Sequence, residues 1–174
     1  KLTYTVIDDT TNTTLEDKKD LASGDSNSEV KPETQTTYDN IVASYEAKGY
    51  ELVRKDALPT KFDADSTVDQ NVTIHLKHKT EVTQESKKVK HTINYVYKDN
   101  NPAEPAFPTV ERELEFTREN TKDLVTNVVT NGQWTPANGT SFGEVVSPTK
   151  PGYTADKAKV EAVNNVTGDT ADIV

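Results

Sequence analysis

The stretch DQNVTIHLKHKTEVTQESKKVKHTINYVYKDN, residues 69–100, closes one alternating segment and opens another. At its left end Val72, Ile74 and Leu76 fall on one face and Thr73, His75 and Lys77 on the other. This is the period-2 pattern of a strand buried on one side. At its right end Ile93, Tyr95 and Tyr97 share a face opposite Thr92, Asn94, Val96 and Lys98. Between them, residues 80–90 carry only Val82 and Val89 as apolar side chains, too little surface to offset the entropy of ordering. The reading is a last strand, a polar linker and a first strand, and therefore two domains, 1–79 and 91–174.

Working outward to the left, Leu2, Tyr4 and Val6 alternate with Thr3, Thr5 and Ile7, and a weaker strand is expected around Thr13 to Leu21. Tyr38, Ile41, Val42 and Tyr45 recur at helical spacing, with Thr36 and Thr37 placed to cap the start and Gly49 to close the end. A helix over about 38–48 follows, then a strand from Tyr50. Two strands, one helix and two more strands is the order of a β-grasp, a mixed sheet packed on a single helix.

To the right, TINYVYKD at residues 92–99 echoes LTYTVIDD at residues 2–9, and Gly152-Tyr153 echoes Gly49-Tyr50. The second module carries about a dozen more residues between these landmarks, and they read as strands. Val110, Arg112, Leu114 and Phe116 share a face opposite Glu111, Glu113 and Glu115. Asn131-Gly132 predicts a two-residue hairpin turn between residues 128–130 and 133–135. No long helix is expected here, and residues 171–174 are expected as a closing strand. The fold class is thus α+β and β-dominated, two tandem β-grasp (ubiquitin-like) subdomains, the second with little helix. Without Gly or Pro from Lys77 to Asn101, the junction is expected to be extended and the whole an elongated rod.

Composition narrows the function. Thr and Val together make 45 of 174 residues, both β-branched and suited to strands. The net charge is −9, and residues 1–79 and 80–174 contribute −5 and −4 of it. A surface of this sign repels phosphate backbones and anionic lipid, so neither nucleic acid nor direct membrane contact is expected. No apolar run approaches the ~18 residues of a membrane span, and the chain reads as an internal segment of a longer protein. Cysteine is absent, which removes disulfides, thiolate metal sites and cysteine nucleophiles.

Candidate chemistry is sparse. His75, His78 and His91 cluster near the junction, but an odd separation on a strand puts His75 and His78 on opposite faces, and the carboxylates nearest in sequence are Glu81 and Glu85 of the linker. Asp63, Asp65 and Asp69 fall at positions 1, 3 and 7 of a calcium loop, yet Val68 stands where the loop needs Gly and Ile74 where it needs Glu. Loop-capping roles are the simpler reading, with adventitious calcium the alternative and no cofactor expected. The N-x-Thr sequons at Asn12, Asn71, Asn138 and Asn165 reflect the abundance of Thr and Asn. For a sugar, the one candidate platform is Trp134, with Gln133, Thr135 and Asn138 beside it; burial in a thin core is the competing role for this only Trp. No catalytic motif is present, and an enzyme is not expected.

KGYELV (48–53), KFDADSTVDQNVTIHLKHKT (61–80), KKVKHTINYVYKDN (87–100), DLVTNVVTNGQWTP (123–136) and FGEVVSPTKPGYTAD (142–156), in this order, resemble one full mucus-binding (Mub, MucBP-type) repeat. Such repeats occur in cell-wall-anchored adhesins of lactobacilli and related bacteria. The resemblance implies an extracellular adhesion module that binds mucin glycoproteins through weak contacts multiplied along tandem repeats. Immunoglobulin binding, attributed to some members, and a spacer role in a stalk are the alternatives. The resemblance carries over no site residues.

Overall fold

A computed structural model describes residues 1–174, which form ten strands, one α-helix and a single 3₁₀ turn. They fall into two units: residues Lys1–Glu81 with Thr121–Val129, and residues Val82–Asn120 with Thr130–Val174.

The first unit runs β1 (Leu2–Asp8), β2 (Thr13–Ala22), α1 (Pro32–Glu46), β3 (Tyr50–Lys55) and β4 (Gln70–His78). The sheet order is β2-β1-β4-β3, with β1 and β4 parallel at the centre and β2 and β3 antiparallel at the edges. This is the β-grasp arrangement. Leu2 and Val6 of β1 and Val72, Ile74 and Leu76 of β4 line the inner face, where Tyr38 and Val42 of the helix and Phe62 of a loop close over them. The helix begins six residues before the expected start. Pro32 takes its first turn, where a missing N–H costs nothing, and Glu33 complements the helix dipole. Tyr38 is fixed twice, by burial and by donating its hydroxyl hydrogen to the Asp56 carbonyl at 2.9 Å.

Gly49 ends the helical segment with φ +98°, and its Cα lies so near the Leu124 carbonyl that a Cβ would meet that oxygen at 2.2 Å. Segment 121–129 packs here. Its turn is built by Asp123, whose Oδ1 accepts the N–H groups of Val125 and Thr126, and Asn127 adopts a left-handed φ of 61°.

The second unit is built on β5 (Thr80–Val96) and β6 (Pro105–Asp123). Residues 80–90, expected as a linker, are the first half of β5. Sequence reasoning saw too little apolar surface to order them; the missing partner was β6, which bonds them through Gln84–Glu119, Glu85–Arg118 and Lys88–Glu113. Those pairs step forward on β5 as they step back on β6, so the two are antiparallel. Val89 of β5, Leu114 and Phe116 of β6, and Phe142 and Val166 of the loops form the core, with Trp134 and Val163 packed on it.

The Asn131-Gly132 hairpin does not form. Instead β7 (Val129–Asn131) and β8 (Thr135–Pro136) both pair with β6, one after the other. Gly132 N–H donates to the Glu119 carbonyl, and Thr135 and Pro136 pair with Thr117 and Phe116, leaving one extra residue between, as in a bulge. Gly132 is required for closeness rather than for turning: a Cβ there would sit 2.3 Å from the Glu119 oxygen. The residues expected as a closing strand are reduced to one bridge, Ile173 with His91. A short pair, β9 (Val145–Val146) with β10 (Lys159–Val160), completes the unit, so Phe142 to Val146 holds no helical turn.

Candidate functional site

Trp134 is half-buried against the core of the second unit, with the Arg118 guanidinium 4.2 Å from its ring centroid. Gly168 touches the ring so closely that a Cβ would fall 2.2 Å from Cγ. Arg118 and Gly168 thus cover part of the ring. Asn138 is engaged as well: its Oδ1 accepts the Glu115 N–H at 2.7 Å, extending the ladder of β6 beyond β8. Gln133 and Thr135 are exposed. Of the four neighbours, Trp134 packs on the core and Asn138 bonds the β6 backbone.

The aspartates also take structural work. Asp65 accepts both the N–H and the hydroxyl of Thr67 in an Asx-turn, and these bonds lower its pKa. Asp63 donates its N–H to Gln70, and Asp63, Asp65 and Asp69 do not gather into a cation site.

An aromatic cluster whose exposed ring is Tyr153, set over a buried Tyr97, lies elsewhere in the second unit, and a turn makes it. Lys150-Pro151-Gly152-Tyr153 closes with the Tyr153 N–H on the Lys150 carbonyl at 3.1 Å, Pro in the first central position and Gly at φ +83° in the second. Those are the residues a type II turn demands. The turn sets Lys150 and Tyr153 side by side over the end of β5. Lys150 Nζ donates to the Tyr97 hydroxyl at 2.6 Å and to the Ala106 carbonyl at 3.1 Å, and it lies 5.2 and 5.1 Å from the ring centroids of Tyr97 and Phe107. The Tyr97 hydroxyl raises the lysine pKa above its ordinary value. An ammonium has three N–H groups, so one remains for a ligand. Tyr153 packs on Tyr97 with centroids 5.0 Å apart, yet stays 58% exposed. Tyr95 packs at right angles to Phe107, with its hydroxyl buried and unpaired. A rigid aromatic face beside a fixed cation suits the apolar C–H side of a sugar ring and its hydroxyl or acidic oxygens. Sequence reasoning passed over this surface, although Pro-Gly between Lys and Tyr was the available signal.

A second concavity, of about 360 Å³, is lined by Lys90, Thr92, Glu111, Arg112 and Glu113 of β5 and β6. Glu113 already pairs with Lys88 at 3.1 Å. Arg112 is also committed, donating to the Gly143 carbonyl and to Nδ1 of His91 at 2.8 Å each. Burial, then the Arg112 charge, lowers the His91 pKa, so this histidine is a neutral core acceptor.

The chain matches the Muc B2-like domain family over residues 80–174 and the mucin binding domain family MucBP_2 over residues 1–78. Among solved structures it is similar to the crystal structure of Mub-RV, with 30% identity, TM-score 0.80, and coverage of 99% of this chain and 93% of that one. It is also similar to the type 2 repeat of the mucus binding protein MUB from Lactobacillus reuteri, with 26% identity, TM-score 0.55, and coverage of 99% and 95%. No curated protein matches it. The two family matches, with the likeness to Mub-RV, place this chain in the mucin-binding repeat family of non-enzymatic binding modules.

Proposed function

We propose that this chain is an extracellular adhesion module of a bacterial surface protein, and that it binds host mucus glycoproteins by weak contacts multiplied along neighbouring repeats. The observation that carries the reading is the pair of mucin-binding family matches spanning residues 1–78 and 80–174. The Lys150–Tyr153 surface supports it by offering one shallow aromatic face rather than a deep pocket. A shallow face gives low affinity per site, and linking two sites raises avidity by roughly 10²–10⁴-fold without new contacts. Binding of one repeat and of joined repeats to immobilised mucin, before and after glycosidase treatment, tests it. Joined repeats are expected to bind far more tightly than one, and glycosidase to abolish binding; glycan-independent binding would reject the mechanism. Tyr153→Ala is expected to weaken binding of a joined pair at least tenfold while leaving the melting temperature within about 2 °C, since an exposed side chain contributes little to stability.

A second reading, capture of an immunoglobulin strand, draws on β3, an edge strand with Leu52 and Val53 exposed. Binding to deglycosylated immunoglobulin fragments at micromolar concentration is its test.

A further inference from the structure

The inner rows of β1 and β4 begin apolar and end charged. Leu2, Tyr4 and Val6 are followed by Asp8, and Val72, Ile74 and Leu76 by His78. Parallel register sets Asp8 opposite Leu76, one step from His78. Nε2 of His78 lies 2.6 Å from Asp8 Oδ2, and Nδ1 lies 2.6 Å from Asp123 Oδ2. The His78 and Asp8 side chains are 6% and 3% exposed. A neutral imidazole has one N–H and can satisfy only one of two carboxylates, whereas the imidazolium donates to both. The carboxylates come from 70 residues upstream and 45 residues downstream, which is why the sequence neighbours Glu81 and Glu85 misled. The Tyr50 ring stands perpendicular to the imidazole with centroids 5.4 Å apart, and Thr10 Oγ1 accepts the His78 backbone N–H. Asp8 is held by the Thr10 N–H and the Thr11 hydroxyl, and Asp123 by the turn it caps. No lysine or arginine pairs with either carboxylate.

We infer that Asp8, His78 and Asp123 form a proton-dependent clasp, in which the imidazolium fastens segment 121–129 against Gly49 and Lys79 of the first unit. Opening the clasp releases the Leu124 N–H from the Lys79 carbonyl and lets the Asp123 turn lift from Gly49. Burial opposes the charged ring, but the hydrogen bonds to Asp123 and Asp8 and their charges outweigh it, so the His78 pKa is raised above 6.5. A raised pKa means that the His78 contribution is complete below about pH 6.5 and is lost as pH climbs through the folded value. The His78 hydrogen bond lowers the Asp123 pKa below 3.8, so its contribution is complete above about pH 3.8 and is lost as pH falls through the folded value. The clasp is therefore tightest between these limits, in mildly acid solution.

The test is NMR of the whole chain from pH 4.5 to 9. His78 is expected to carry protons on both nitrogens at pH 6 and to titrate above 6.5. Amide protection factors at Leu124, Val125 and Asn127, corrected for intrinsic exchange, are expected to fall at least tenfold between pH 6 and pH 8.5, while those of Val6 and Ile74 hold. Asp123→Asn keeps the oxygen that caps Val125 and Thr126 and removes the charge. It is expected to lower the His78 pKa and to make protection of this segment low and insensitive to pH. Asp9→Asn, which alters only the separate His75 pair on the opposite face, is the control and is expected to change nothing here. A His78 that titrates at or below 6.5, or protection of residues 124–127 that is independent of pH in the parent chain, overturns the clasp.

Discussion

In the first unit, a cluster of eight buried apolar side chains from two strands, a helix and a loop closes over one face of a mixed sheet; in the second, the main cluster is five side chains from two strands and two loops, with no helix. A helix satisfies its own backbone and can serve as a lid without help. Loops cannot, so the second unit fastens its cover with long polar side chains sent from the strands. Arg112 donates to the Gly143 carbonyl, Lys87 Nζ to the Gly168 carbonyl, and Arg118 stacks on Trp134. Bridges between Phe142 and Val163 and from Val166 to Thr140 join the loops to one another. Hydrogen bonding and cation–π contact thus do in the second unit part of what helix burial does in the first.

The largest effects are expected from the cores themselves. Leu76→Ala in the first unit should cost about 3 kcal/mol, and Phe116→Ala in the second about 4 kcal/mol, since a large ring lost from a five-residue core leaves a cavity few neighbours can fill. Urea denaturation gives the magnitudes. Hydrogen exchange gives the distribution: Phe116→Ala should deprotect the Phe142, Val163 and Val166 amides together, whereas Leu76→Ala should leave the helix amides protected. Equal costs with equally local deprotection would erase the contrast between the two ways of covering a sheet.

Glycine positions sharpen the contrast one level down. Gly49→Ala meets two obstacles, a φ of +98° and a backbone oxygen 2.2 Å from the new Cβ, and should cost about 3 kcal/mol. Gly168→Ala meets the Trp134 ring instead, which can swing aside, and should cost about 2 kcal/mol. Only the second should change tryptophan fluorescence, because the ring can move only by loosening its stack on Arg118. A silent Gly168→Ala would mean that the loop, not the ring, gives way.

How far the sequence revealed this follows the range of the interactions. Alternation in residues 2–7 and 70–78 and the helical spacing of Tyr38, Val42 and Tyr45 are local, and each marks an element of the first unit. The early helix start was legible too, in Pro32-Glu33, but the apolar spacing drew attention further along. Residues 80–90 were illegible because a stretch with two apolar residues in eleven is ordered only by its partner, and the β6 side chains it pairs with lie 25 to 35 residues away. Asn131-Gly132 failed for a related reason. The dipeptide fits a turn, yet the turn had been made earlier at residues 123–128 by Asp123 and Asn127, and Gly132 was needed for a close approach. In the candidate site, Trp134 stands out in the sequence as the lone Trp, whereas exposure depends on what packs against a ring, which spacing does not encode.

The smallest effects are expected among the polar neighbours of Trp134, and they separate a structural edge from a binding surface. Asn138 accepts the Glu115 N–H at 2.7 Å and donates to the Glu113 carbonyl at 3.5 Å, the second bond being long and weak. Asn138→Ala should cost about 1 kcal/mol, the usual net worth of one good hydrogen bond. Gln133 is exposed, so Gln133→Ala should fall within about 0.5 kcal/mol of the parent. Neither change should alter mucin binding by joined repeats more than about twofold, the level at which an energy difference falls below 0.5 kcal/mol. A tenfold loss of binding in Gln133→Ala, without loss of stability, would move the ligand surface back to the Trp134 edge and away from Lys150 and Tyr153. Chemical denaturation and mucin binding measured on the same two variants decide between those surfaces.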